Sequence, residues 1–373
     1  MAAVANVDPA CIPGCRCATT GLRNWNKFQP LAQAKYQQHA AKPWLEARLI
    51  FPKPRTDALP LPPYPLEYQR VSPMVMLQKV IKEYGGFREA IDLIGDECLE
   101  KFSDRVYAGF CSEYQDAGYI KNVQWLLRHF YASKKMTLCS LFFTQTEELN
   151  GKNLKNLTFY TCYYSLFNAL LSNLILTPYI DIEKIRKISH SQVFRDIDNY
   201  FNRFGIYDRK LLELLNELRL TRELYSYHLP LGGSIVREGE SLNAENLFNR
   251  LRDVITPILQ VSNLISYMSH YAWQKKVGAG IDEYSSHQSE VDSLFFSFIE
   301  SHDHLGMHCV IDDDDYARQG YVLRKWTTPF PISWFITEKM CEDLECGWEQ
   351  EDPENGFDIS NVATFLASAI DAH

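Results

Sequence analysis

Arg222 and His228, in the stretch Arg222-Glu-Leu-Tyr-Ser-Tyr-His228, are two side chains suited to handling an anion, six positions apart near the middle of the chain. Leu211, Leu215 and Leu218 form a helical stripe that continues by geometry to positions 222 and 225, so Arg222 is expected on the inward side of its helix, below Tyr225. An arginine placed there needs a partner. If the helix persists to His228, before Pro230 and Gly232-Gly233, the six-residue spacing amounts to about 1.7 turns, and the two side chains can converge on one anion. Histidine has an ordinary pKa of about 6.5 and suits general acid–base work. Arginine offers a planar fork of donors. Tyr225 and Tyr227 stand beside the pair and can stack or donate hydrogen bonds. A second reading needs no chemistry, because arginine and histidine are favoured in a last helical turn by its free carbonyls and negative dipole end.

Other candidate groups are weaker. His302, His304, His308 and Cys309, with Asp312–Asp315 adjacent and Cys341 and Cys346 downstream, could hold zinc, but their spacing matches no common structural zinc pattern, and the carboxylates also read as a solvated loop. Cys11, Cys15 and Cys17 have no obvious fourth partner nearby. His190 reads as a helix-capping or core hydrogen-bonding histidine. We expect no metal and no cofactor: there is neither a P-loop nor a dinucleotide fingerprint.

The elements that must position Arg222 and His228 are helical. Residues 1–72 lack periodicity and carry six prolines between Pro52 and Pro65, which reads as a Pro-rich tail or linker. A helical module is expected over 73–131. Its first helix carries Met74, Leu77, Val80, Ile81 and Tyr84 and stops at Gly85-Gly86; a second carries Ile91, Ile94, Cys98, Leu99 and Phe102. Ser103 is placed to cap a third, and Val123 to Phe130 mark a fourth. Residues 132–276 read as a bundle of four or five helices. One helix runs near Lys134–Asn150, and an all-round apolar, central one runs from about Asn153 to Leu176. Another starts at Ser189 or Ser191 and ends by Gly205; the next is capped by Asp208; a long last helix spans about Asn243–Lys276, with Pro257 inside it. Residues 277–373 read as a small α+β appendage, with a helix over Ser285–Glu300 and strands over Tyr321–Trp326 and Ile332–Thr337.

Several stretches resemble the HEPN superfamily, helical bundles found in many prokaryotic toxins and anti-phage proteins. Phe159-Tyr-Thr-Cys-Tyr-Tyr-Ser-Leu-Phe-Asn-Ala-Leu170 is similar to the YY-x-L-F-x-A-L pattern often seen there. Ser189-His190-Ser191 resembles the Ser-His loop that leads into the next helix, and Arg222 to His228 fits the Arg-x4–6-His motif. The resemblance covers residues 132–276, about 40% of the chain. It implies a metal-independent endoribonuclease whose composite site forms between two such bundles, with Arg222 and His228 catalytic and Tyr225, Tyr227 and Glu223 beside the RNA. Glu223 stands where catalytic members usually have a small polar residue. It favours the alternative reading, a HEPN-like module that dimerises or binds a partner without catalysis.

Charge and composition fit this picture. The net charge is −9, yet residues 281–373 hold 20 acidic and 4 basic side chains, leaving a mildly basic body compatible with a polyanion partner. The acidic stretch is either a cover for that body or a solvated surface. With 46% hydrophobic and 23% charged residues the chain should fold, and its ten cysteines, several inside apolar helical patterns, suggest a reducing compartment. The first residues lack the basic and apolar regions of a signal peptide, and the most apolar stretch, Tyr163 to Ile180, is broken by polar residues and Pro178. The expectation is therefore a mainly α-helical, soluble, cytoplasmic protein without membrane contact. It would be an RNA-cleaving toxin or defence effector that forms a homodimer through the bundle and is held by a neutralising or sensor protein.

Overall fold

The computed structural model describes residues 76–115, 117–152, 154–228, 235–237, 240–242, 244–277, 289–290, 293, 329–336, 344 and 357–370, all within the compact unit Arg70–His373. Among them the chain is mainly helical. The helices are α1 (Met76–Tyr84), α2 (Arg88–Ile94), α3 (Asp96–Glu113), α4 (Tyr119–Gly151), α5 (Lys155–Leu176), α6 (Ile182–Arg186), α7 (His190–Tyr200), α8 (Arg209–Tyr227), α9 (Ala244–Lys276) and α10 (Ser360–Ala369). Ile235–Arg237 (β1) and Glu240–Leu242 (β2) form a short antiparallel hairpin between α8 and α9, with Ile235 opposite Leu242.

Local chemistry sets most of these boundaries. Gly85 and Gly86 take positive φ (65° and 71°) and end α1, while Gly95, at φ 87°, separates α2 from α3. Asp181, Ser189 and Asp208 accept from the backbone N–H groups of Glu183, Gln192 and Leu211 and so cap α6, α7 and α8. Ser103, expected to cap a helix of its own, lies buried inside α3 and returns its hydroxyl to the Leu99 carbonyl at 2.7 Å. The two helices expected on either side of residue 132 are one: α4 runs unbroken from Tyr119 to Gly151.

Helix α5 is central, packed by α4, α7, α8 and α9, and its residues 165–176 are buried throughout. Its polar residues are satisfied inside the bundle. Ser172 Oγ lies 2.6 Å from Ser262 Oγ on α9, and Asn173 donates to the Ile258 carbonyl and to Ser262 while accepting from the Tyr207 hydroxyl. Helices α2 and α3 also pack on α9, and Gln260 ties α2 down by accepting from the Ala90 N–H at 2.8 Å.

Arg128 on α4 closes the far end of α5. Its guanidinium donates to the carbonyls of Ile175 (2.6 Å), Thr177 (2.8 Å) and Ile180 (3.0 Å), and it lies 4.0 Å over the Trp125 ring. Burial lowers its pKa to about 9, so it remains charged at neutral pH. Arg128→Met keeps the stem but leaves three carbonyls without a donor and should lower unfolding free energy by about 3 kcal/mol or more. Urea unfolding measures this; a loss below about 1 kcal/mol would show that water replaces the guanidinium.

The described parts of 277–373 differ from the expected appendage. Ile332–Thr337, expected as a strand, holds instead a single 3₁₀ turn at Ile332–Trp334, and Phe330, Ile332, Phe335 and Ile336 are buried. Side chains of the bundle hold the backbone at the start of this stretch and just before it: Ser266 Oγ on α9 accepts from the Ile332 N–H at 3.0 Å, His129 Nδ1 on α4 bonds the Phe330 carbonyl at 2.7 Å, and His270 Nδ1 on α9 bonds the Pro329 carbonyl at 3.0 Å. Helix α10 packs Val362, Ala363, Leu366 and Ala369 inward, chiefly against α4. The stretches Ser285–Glu300 and Tyr321–Trp326 lie outside the described residues except for Ser289, Glu290 and Ser293, as do the Pro-rich tail and the cysteine and histidine clusters.

Candidate functional site

The inward stripe of α8, Leu211, Leu214, Leu215 and Leu218, is buried and fixes the helix against α5, which leaves Arg219, Arg222 and Glu223 along one edge. The Arg222 side chain keeps only 15% of its exposure, and its guanidinium carbon lies 5.1 Å from the Tyr163 ring centre and 5.8 Å from that of Tyr164, both on α5. Its Nε is buried and has no hydrogen-bond partner among the described residues. Its single described carboxylate contact is sideways, to Glu223 Oε1 at 3.5 Å, and the same oxygen lies 3.6 Å from Arg219 Nη1. Two guanidinium groups thus share one carboxylate. Arg219 Nε is likewise buried and unpartnered among the described residues.

The residues expected to surround Arg222 are distributed unevenly. The His228 N–H donates to the Leu224 carbonyl at 2.9 Å, so backbone helical bonding carries through to His228, as convergence with Arg222 requires. The His228 ring is exposed and makes no hydrogen bond or ion pair with a described residue. Tyr227 is 73% exposed, close enough to Tyr164 to influence its phenol. Tyr225 is buried and lies 4.7 Å from Phe159, so its ring belongs to the core and is closed to an incoming base.

A second histidine joins the cluster from α7. Ser189 is the cap there, and His190 occupies the first helical position, exposed at the protein edge. Its Nδ1 lies 2.5 Å from the Tyr163 hydroxyl, and its ring stacks on Phe167 with centres 4.5 Å apart. Burial and then the charge of Arg222 hold the imidazole below its usual pKa; Glu223 opposes this and Arg219 adds to it. Burial raises the pKa of Tyr163, which therefore keeps its proton at neutral pH. Sequence reasoning passes over Arg219, whose signal is its position one turn before Arg222, and it gives His190 no part in the cluster because the partner that fixes it is 27 residues away.

Among the described residues no group of three or more His, Cys, Asp or Glu side chains could hold a metal, and no helix is long and apolar enough to cross a membrane. Comparison with protein-family models, curated proteins and solved structures returned no match. Fold and site together define a mainly helical bundle with a guanidinium–imidazole–tyrosine cluster at one edge.

Proposed function

We propose that this chain is a HEPN-like, metal-independent endoribonuclease acting as a toxin or anti-phage effector, with Arg222 holding the scissile phosphate and His228 moving the proton. The observation that supports this reading most is Arg222 itself, largely buried at the bundle edge, with an unpartnered Nε and an exposed histidine where its helix ends. In the proposed step the substrate's 2′-oxygen forms a bond to phosphorus as the bond from phosphorus to the 5′-oxygen breaks. His228 takes the 2′-hydroxyl proton and returns it to the departing 5′-oxygen, leaving a 2′,3′-cyclic phosphate. The guanidinium holds the non-bridging oxygens as charge builds on them. Incubating the full chain with RNA in the presence of a chelator tests this. Cleavage with cyclic or 3′-phosphate ends is expected, and intact RNA would sink the reading.

The composite site implies a second copy. Leu157 and Tyr160 on α5 and Leu220 and Tyr227 on α8 are exposed large apolar or aromatic residues near the cluster, the kind of surface a homodimer would cover. Sedimentation equilibrium should give a dimer at micromolar concentration, and Tyr160→Glu should shift it towards monomer. A strict monomer for the unaltered chain would count against the composite site. The alternative, a bundle that binds a partner without cutting RNA, is favoured by Glu223, which already occupies the guanidinium of Arg222.

A further inference from the structure

Tyr163 and His190 settle between them which imidazole nitrogen carries hydrogen. The Tyr163 ring is fully buried, its raised pKa keeps the phenol protonated, and His190 Nδ1 is the acceptor within reach at 2.5 Å. If Nδ1 carried the hydrogen, the phenol proton would be buried without an acceptor, a costly arrangement. With the phenol donating to Nδ1, every proton is placed, and the neutral imidazole bears its N–H on Nε2. The ring is fixed in this orientation by Phe167.

The charged groups facing His190 come from α8. Arg222 and Arg219 favour the neutral imidazole there, and Glu223 partly offsets them; on α5 the facing groups are the phenols of Tyr163 and Tyr164. Arg222 lies against the same two tyrosine rings as His190, so guanidinium and imidazole flank one aromatic wall. Two arginines share one carboxylate at 3.5 and 3.6 Å, which leaves positive charge uncompensated among the described residues, and both Nε atoms are buried without acceptors. Arg219 also donates to Asn216 Oδ1 at 3.1 Å, yet the pair of guanidinium groups keeps a surplus of positive charge and two Nε donors without described acceptors, a set that matches a phosphoryl group.

We propose that His190, oriented by Tyr163, is a phosphate-binding residue that works beside Arg222 as a neutral hydrogen-bond donor. The proposal rests on the reading of Arg222 as a phosphate-holding residue and assigns His190 to binding, with proton transfer left to His228. It also implies a proton linkage. An anion seated there offsets the field of the two arginines, so binding should draw the imidazole towards its charged form.

The probe is inorganic phosphate, followed by a short fully 2′-O-methylated RNA that cannot be cut, with the full chain observed by NMR of labelled histidine rings. Phosphate should move the His190 signals, raise the pH of their midpoint by about half a unit or more, and bind about 10-fold more weakly to His190→Ala. His190→Gln keeps a neutral donor near the Nε2 position and should bind within about 3-fold of the unaltered chain, a rescue that a proton-transfer role would not predict. Tyr163→Phe should weaken phosphate binding less than His190→Ala and move the ring nitrogen shifts towards a mixture of tautomers. Unmoved His190 signals at saturating phosphate, or unaltered affinity in His190→Ala, overturn the proposal. The 2′-O-methyl RNA shows whether the same signals respond to an internal phosphodiester or to inorganic phosphate alone, and the latter result limits the site to phosphomonoesters. Failure of the ribonuclease reading looks different: RNA stays intact while phosphate still moves His190.

Discussion

His228→Ala is expected to lower RNA cleavage by at least about 100-fold while leaving the protein folded, because the ring is exposed and bonded to no described residue. Arg222→Lys should fail as well: it keeps the charge but loses the planar fork that reaches two phosphate oxygens at once. The two losses should differ in kind. His228→Ala removes a proton carrier and should flatten the pH profile of kcat, whereas Arg222→Lys should also weaken binding of uncuttable RNA. Circular dichroism establishes that each variant folds. Full cleavage by folded His228→Ala would assign the proton transfer to a different residue.

The second large effect is acid instability. His129 is buried between α4, α9 and the Phe330 carbonyl, and its Nε2 lies 3.1 Å from Ser269 Oγ, itself 2.8 Å from the Tyr114 hydroxyl. Burial pushes its pKa down to about 3, with the charge of Arg128 adding to the effect and the Phe330 bond opposing it. Burial likewise lowers that of His270 to about 4. Both rings are neutral in the folded protein, while in the unfolded chain they take up protons near pH 6.5. Stability is therefore complete above about pH 6.5 and falls as the pH drops from there towards the folded pKa values. Each histidine contributes a slope of up to roughly 1.4 kcal/mol per pH unit, so the loss at pH 5 is on the order of 4 kcal/mol. Urea unfolding at pH 7 and pH 5 should reveal it. His270→Asn, which keeps a donor for the Pro329 carbonyl without a titratable ring, should remove about half the slope; equal stability at both pH values in the unaltered chain would refute the assignment.

Much of the fold could be read from single residues. Asp208, Ser189 and Gly85-Gly86 do in the structure what their chemistry predicts, because capping and positive φ are decided within a few residues, whereas Gly205, expected to end α7, closes a 3₁₀ turn at Asn202–Phe204 after α7 has ended at Tyr200. The failures are the places where distant groups decide. Ser103 looks like a cap, yet it can equally satisfy itself on the preceding turn, and the Gly95 break lies elsewhere. Ile332–Thr337 reads as a strand, but the Ile332 N–H is taken by Ser266 on α9 and the carbonyls just before it, of Pro329 and Phe330, by His270 and His129, so the bundle offers side chains rather than a ladder. In the site, the placement of Arg222 follows from the leucine stripe alone. Removal of Tyr225 from it depends on Phe159, and entry of His190 depends on Tyr163, both contacts between helices distant in sequence.

The clamp on Pro329 has a topological consequence. The chain leaves α9 at Lys276 and is caught again at Pro329 by His270, only seven positions before Val277 and so about 10 Å away along the helix axis. The intervening residues begin and end on the same helix, which makes the connection a closed loop whose ends the bundle holds together. Loop-closure entropy grows only logarithmically, about 0.6 kcal/mol for each doubling of length. The closure term is therefore insensitive to the length of residues 278–328: halving that connection would change it by only about 0.6 kcal/mol, so the clamp tolerates wide variation in what it encloses.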